Sequence, residues 1–121
     1  MSDKRAHHKL VVWQKSLDLA QTVYLVTKKF PKEEIYALTN QMRRAAVSVP
    51  SNIAEGAARA SNKEFLHYLS ISRGSLSELE TQIMVAKRVG YISDIEIILN
   101  EIESIFSLLG GLMKSIKEKS T

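Results

Sequence analysis

Apolar residues recur along this chain at intervals of three and four, the spacing that gathers side chains on one face of an α-helix. In the first such stretch Leu10, Trp13, Leu17, Ala20, Tyr24 and Thr27 step 3, 4, 3, 4, 3, and Val12, Leu19, Val23, Val26 and Phe30 widen the face. This predicts a helix over about 9–29. Pro31 ends it, because the residue before a proline is pushed out of the helical region. Ile35, Leu38, Met42, Ala45, Val49 and Ile53 predict a second helix over about 33–58, with Glu34 near the positive end of its dipole. Pro50 lies inside this pattern. Its ring removes one backbone hydrogen bond and crowds the carbonyl four residues back, so a kink or a local break near Ser48 is expected.

Ser61 and Glu64 form a capping-box pattern at the start of a third helix over about 62–89, in which Phe65, Leu69, Ser72, Leu76, Leu79, Ile83 and Ala86 make the stripe. Gly90 is its natural C-terminal cap. Ser93 or Asp94 caps a fourth helix over about 94–118, where Ile95, Ile98, Ile102, Ile105, Leu109, Leu112 and Ile116 keep heptad spacing and Gly110-Gly111 reads as a packing notch. Helices of this length span roughly 30–42 Å, and short connections force sequential neighbours to be antiparallel. The expected fold is therefore all-α, an up-down-up-down antiparallel four-helix bundle with its second helix kinked near Pro50. A flexible basic tail over 1–8 would precede a single domain over 9–119. The alternative is a pair of helical hairpins that complete their core only on dimerising.

Composition narrows the chemistry. The 121 residues include no cysteine, which excludes disulfides, thiolate metal sites and cysteine nucleophiles. The first nine residues are polar and basic, the apolar cluster after them is broken at once by Gln14, Lys15 and Asp18, and no apolar run approaches a bilayer span. A cytoplasmic protein with no membrane partner is expected. The net charge of +4 is unevenly spread: Lys4, Arg5, Lys9 and Lys15 stand near the start, whereas residues 92–110 carry Asp94, Glu96, Glu101 and Glu103 and no base.

Three segments carry a resemblance: Val12-Trp13-Gln14-Lys15, the run from Gln41 to Gly56 containing SVPSNIAEG, and the run from Gly74 to Gln82. Together they resemble the four-helix-bundle proteins first noticed as reading frames inside intervening sequences of bacterial large-subunit ribosomal RNA genes. The likeness extends from Leu10 to about Ile92. It implies a ring-shaped homopentamer, no established enzymatic activity and an association with RNA. In shape and charge that family is similar to the accessory protein of diversity-generating retroelements, a basic pentameric bundle that works with a reverse transcriptase and nucleic acid.

Within those motifs Ser48, Asn52, Glu55 and Arg59 recur at helical spacing as a polar stripe, beside Pro50 and Gly56, whose neighbourhood permits close backbone approach. Two readings stand: local capping with an ordinary surface ion pair, or a polar lock between helices or subunits that engages Ser75, Glu78 and Gln82 of the third helix. Trp13 and Gln41 complete the candidate interface residues. Arg43, Arg44, Arg59, Lys63, Arg73, Lys87 and Arg88 are candidates for contacts to RNA or DNA phosphates, or else balance Glu55, Glu64, Glu78 and Glu80. Trp13, Tyr24 and Phe65 fall on expected core stripes, which leaves Tyr36, Tyr68 and Tyr91 as aromatics able to stack on bases.

Glu64-Phe65-Leu66-His67 has the spacing of a di-iron helix, but such sites need two copies and two further carboxylates. His67 therefore reads as a surface histidine, and His7 and His8 as part of the tail. With no catalytic triad or phosphate loop, neither an enzyme nor a cofactor is expected. The first and fourth helices carry apolar residues beyond one internal seam: Val11, Leu19 and Leu25 in one, Ile97, Leu99, Phe106 and Met113 in the other. An apolar stripe that wide must be buried against another subunit. The expectation is a non-catalytic homo-oligomer, pentameric by resemblance, that binds RNA or DNA through backbone phosphates. The alternative is an oligomeric scaffold for a protein partner.

Overall fold

Four long helices carry the chain, and each boundary has a local cause. The computed structural model describes residues 4–119; residues 1–3 of the expected tail, and 120–121, lie outside the described residues. A 3-10 turn, Ala6–Lys9, leads into α1, Val11–Thr27. A second 3-10 turn, Lys32–Glu34, precedes α2, Leu38–Ala57; α3 is Asn62–Arg88 and α4 is Glu96–Lys119. The second helix thus begins five residues later than its apolar spacing suggested. Pro31 is extended and accepts the Glu34 N–H in a tight turn, and Ala37 is non-helical, so Ile35 falls outside the helix and is exposed.

The Ser61 Oγ accepts the Glu64 N–H at 3.1 Å, which starts α3 as one half of the capping box. Gly90, at φ +86°, ends that helix: Tyr91 N–H reaches the Ala86 carbonyl and Gly90 N–H the Lys87 carbonyl, the paired bonds of a Schellman cap. Asp94 Oδ1 accepts the Glu96 N–H at 3.0 Å and so fixes the start of α4.

Each helix packs on its neighbours in sequence, and α1 closes on α4. Contacts run in opposite sequence directions. Ser72 bonds the Val49 carbonyl while Phe65 meets Gly56, and Arg43 reaches Thr27 while Trp13 and Ala54 share one hollow. Likewise Lys15 and Ser104 line one hollow between α1 and α4, and Val26 shares another with Ile92 in the turn that leads into α4. One apolar core results, built on Leu19, Val23, Met42, Val49, Ile53, Leu69, Leu76, Leu79, Ile83, Ile102, Ile105 and Leu109. α2 is helical through buried Pro50, so no break occurs near Ser48. The proline nevertheless leaves the Ala46 carbonyl without its usual helical donor.

The stripes expected for α3 and α4 lie inward. That of α1 does so only in part: Thr27 of the expected line and Val12, Leu19, Val23 and Phe30 of its widened edge are buried, Leu10, Trp13 and Ala20 are partly buried against the core, and Leu17 and Tyr24 are exposed. The buried residues of α1 are Val12, Ser16, Leu19, Val23 and Thr27, a face rotated roughly a quarter turn from the Trp13–Leu17–Tyr24 line. Both sides of α1 are apolar, so periodicity alone leaves the phase open. Two hydroxyls make the inward choice tolerable: Ser16 donates to the Trp13 carbonyl and Thr27 to the Val23 carbonyl, each at 2.7 Å, so neither is buried unpaired. Of the seven residues expected to be surplus to the seam, Leu19 and Met113 are buried, and Leu99 and Phe106 are packed partly against the core. Val11, Leu25 and Ile97 remain exposed.

Glycines show where backbones meet. A Cβ on Gly56 would lie 2.8 Å from Tyr68 Cβ and 3.0 Å from Phe65 Cδ1, whereas one on Gly110 or Gly111 would meet nothing within 4 Å. The tight notch is therefore in α2, and the expected notch in α4 is not filled by this chain. Gly56→Ala should cost about 1–2 kcal/mol despite the better helix propensity of alanine, and Gly110→Ala should stabilise by about 0.5–1 kcal/mol. Urea unfolding of the two variants checks both signs.

Between α1 and α4, Thr22 Oγ1 reaches both Glu101 carboxylate oxygens, at 3.3 and 3.2 Å. Burial raises the Glu101 pKa above its ordinary value, the Thr22 bond opposes that shift, and Asp18 adds to it. A carboxyl with a raised folded pKa favours folding in its protonated form, below its unfolded pKa, and this contribution is lost as pH rises through the folded value. Glu101→Gln should therefore raise the urea midpoint at neutral pH, and the gain should shrink towards zero near about pH 4.

Candidate functional site

The polar stripe on α2 meets α3 directly. Ser48 Oγ and Ser75 Oγ lie 2.8 Å apart, and Asn52 Nδ2 donates to the Ser48 carbonyl and hydroxyl at 2.9 and 3.0 Å. These residues form a hydrogen-bonded seam between two helices of one chain. Just above it Gln41, Arg44, Ala45, Ser48, Ser75, Glu78 and Gln82 line a cleft of about 460 Å³. Gln82 Oε1 is buried there with no hydrogen-bond partner. At the other end Glu55 and Arg59 pair at 3.4 Å across one turn, both well exposed, so the pair adds little stability. Arg59 also donates to Tyr68 Oη at 2.8 Å and lies over its ring.

The basic candidates divide into two groups. Arg43 donates from Nε to Thr27 Oγ1 at 2.9 Å and lies 4.7 Å from the centre of the Tyr24 ring; Arg59 is held as above; and Lys87 donates to the Ser93 carbonyl. Arg44, Lys63, Arg73 and Arg88 are exposed with no carboxylate within ion-pair distance among the described residues. The three on α3 are strung over roughly 38 Å of helix instead of gathered in one patch.

The aromatic assignments change as well. Tyr24, expected in the core, is exposed and serves as the platform under Arg43. Tyr68 is engaged by Arg59, and Tyr91 packs on Phe30 with ring centres 5.3 Å apart. Tyr36 is 91% exposed. Tyr24 and Tyr36 line a hollow of about 610 Å³ with Ile35, Thr39, Asn40, Arg43, Arg44, Val47 and Ser48. Thr39 and Asn40 carry no signal in the sequence, because the turn before α2 decides what faces them.

Trp13 is half-buried beneath the N-terminal turn. The His7 and His8 rings lie 4.8 and 5.4 Å from it, and His7, Trp13, Leu17, Ala20, Val47, Pro50, Ser51 and Ala54 line a neighbouring apolar hollow of about 310 Å³. Burial and the charges of His8 and Arg5 lower the His7 pKa. His67 is exposed beside Tyr68. Among the described residues no group of three His, Asp or Glu side chains is placed to hold a metal ion, and no helix is long and apolar enough to cross a membrane.

No curated protein is similar enough to count as a match. Among solved structures the chain is similar to a protein of unknown function from the S23 ribosomal protein family of Bacteroides thetaiotaomicron VPI-5482. The two are 27% identical, superimpose with a TM-score of 0.78, and match over 86% of this chain and 99% of that one. Residues 8–111 match the family described as 23S rRNA-intervening sequence protein. That span includes the Trp13 motif, the SVPSNIAEG segment of α2 and the Ser75–Gln82 stripe of α3, and the chain belongs to the 23S rRNA-intervening sequence protein family.

Proposed function

We propose that this protein is a non-catalytic helical-bundle subunit, resident in the cytoplasm, that works as a homo-oligomer, with five copies in the ring that the family resemblance implies. The observation that carries this reading is the two-sided apolar character of α1. Val12, Leu19 and Val23 fill the core, while Val11 at 54% exposure, Leu17 at 43% and Leu25 at 55% face outward on the same helix. Apolar side chains exposed on a helix are stabilised when another surface covers them, and one protomer leaves these uncovered. Ile97 on α4, at 72% exposure, extends the uncovered surface.

A second copy of the chain is the occupant this reading names for that surface. Light scattering should give a mass near five times the 13.6 kDa chain, and Leu17→Glu with Leu25→Glu should reduce it to the single-chain value without unfolding the helices. A wild-type protein that stays monomeric at micromolar concentration would remove the assembly reading.

A second reading, contact with RNA or DNA through phosphates, is favoured by Arg44, Lys63, Arg73 and Arg88, candidate cations that are exposed and have no ion-pair partner among the described residues. Arg43, by contrast, serves the joint between α1 and α2. Binding should weaken log-linearly with salt, and Arg44→Ala with Arg73→Ala should lower the slope by about 1–2. An unchanged slope would leave the scaffold reading, in which the assembly serves a protein partner.

A further inference from the structure

We propose that the hollow between the end of α1, the turn at Ile35–Tyr36 and the first turns of α2 binds a nucleotide unit, with an unpaired base on Tyr36 and its phosphate on Arg43 and Arg44. The hollow is complete within one protomer, so the inference stands whether or not copies of the chain associate.

Several features of the hollow select this chemistry. Its lining contains two guanidiniums and no carboxylate, so its field favours an anion. Arg43 is already positioned: its Nε–H is committed to Thr27 and its guanidinium lies over Tyr24, while its terminal amino groups carry no bond to another side chain among the described residues. A guanidinium held this way loses little side-chain entropy when it meets a phosphate. Arg44 stands one residue on with no ion-pair partner among the described residues.

The remaining features call for a ring as well as a charge. Tyr36 has nearly its whole side chain in water, in a turn whose backbone is hydrogen-bonded at both Ile35 and Ala37. An exposed ring on a fixed turn is a stacking platform, and base–aromatic stacking tolerates any base. Asn40, exposed at the rim, offers a donor and an acceptor for a base edge. The volume of about 610 Å³ lies within the range of small-ligand sites. A simple anion would make no use of Tyr36, and duplex bases are stacked out of its reach.

Fluorescence anisotropy at about 50 mM salt, where phosphate contacts are strong, provides the test. The probes are a fluorescein-labelled uridine decamer and an RNA duplex of equal length. Tyr36→Ala should weaken the single strand about tenfold and leave the duplex unaffected, and Tyr36→Phe, which keeps the ring, should stay within about twofold of wild type. Arg73→Ala, on α3 away from the hollow, should cost less than Tyr36→Ala. Thermal melts of the Tyr36 variants should match wild type, because the side chain packs on little. Uridine monophosphate distinguishes the sources: displacement of the strand at millimolar concentration shows that a free nucleotide suffices, and failure to displace assigns the site to a strand. No binding of the single strand, or equal binding by wild type and Tyr36→Ala, would overturn the proposal. Equal affinity for strand, duplex and heparin would also overturn it, while leaving the phosphate reading in place.

Discussion

Gly56 and Ala45 on α2 face α3 with almost no side chain, and this lets the two backbones come close enough for Ser72 to hydrogen-bond the Val49 carbonyl and for Ser48 to reach Ser75. The remaining helices pack around that pair. Interiors are packed to crystal-like density, so the distance between two helices determines which side chains fit in the layers beside them. At this joint a methyl group at position 56 would already run into Tyr68 Cβ. Small residues and hydroxyls here serve as geometry: they shorten the approach and satisfy each other's polar groups at the same time. The concentration of the SVPSNIAEG motif on this seam follows from that double requirement.

α1 obeys a looser constraint. Either of its two apolar faces could have turned inward, and the choice depends on small margins. Ser16 and Thr27 can be buried because each hydroxyl returns a hydrogen bond to its own helix, whereas Trp13 packs only partly against the core and Tyr24 is exposed. Their outward placement creates the hollows on the α1–α2 side and leaves Leu17 and Leu25 uncovered. The same displacement brings Tyr24 beneath Arg43. One rotation of a helix thus generates an apolar surface and an aromatic, cationic hollow beside it.

Charge is distributed by the same geometry. Arg43 and Arg59 each sit over a tyrosine ring and donate to a neighbouring hydroxyl, and together they brace the α1–α2 and α2–α3 joints. Stacked guanidiniums of this kind are not replaceable by lysine, whose compact ammonium lacks the plane. The cations left without such duties are dispersed, which limits what phosphate attraction alone can select. Glu101, partly buried beside Thr22, is the acidic counterpart: a charge retained at some cost where α1 meets α4.

The amino-acid sequence by itself determined the number of helices, the inward faces of α3 and α4, the Ser61 cap, the Gly90 stop and the family. Each of these rests on local rules of periodicity, capping and backbone freedom, or on a contiguous motif. The seam joining Ser48 to Ser75 was legible as one of two readings, because short polar side chains at helical spacing ask for a partner without naming it. Only the tertiary structure decided the phase of α1, the late start of α2 and the division of the arginines into structural and free. Those outcomes depend on volumes and partners across the bundle: Tyr24 became a surface residue because of what α2 presents opposite it, and no spacing within α1 encodes that.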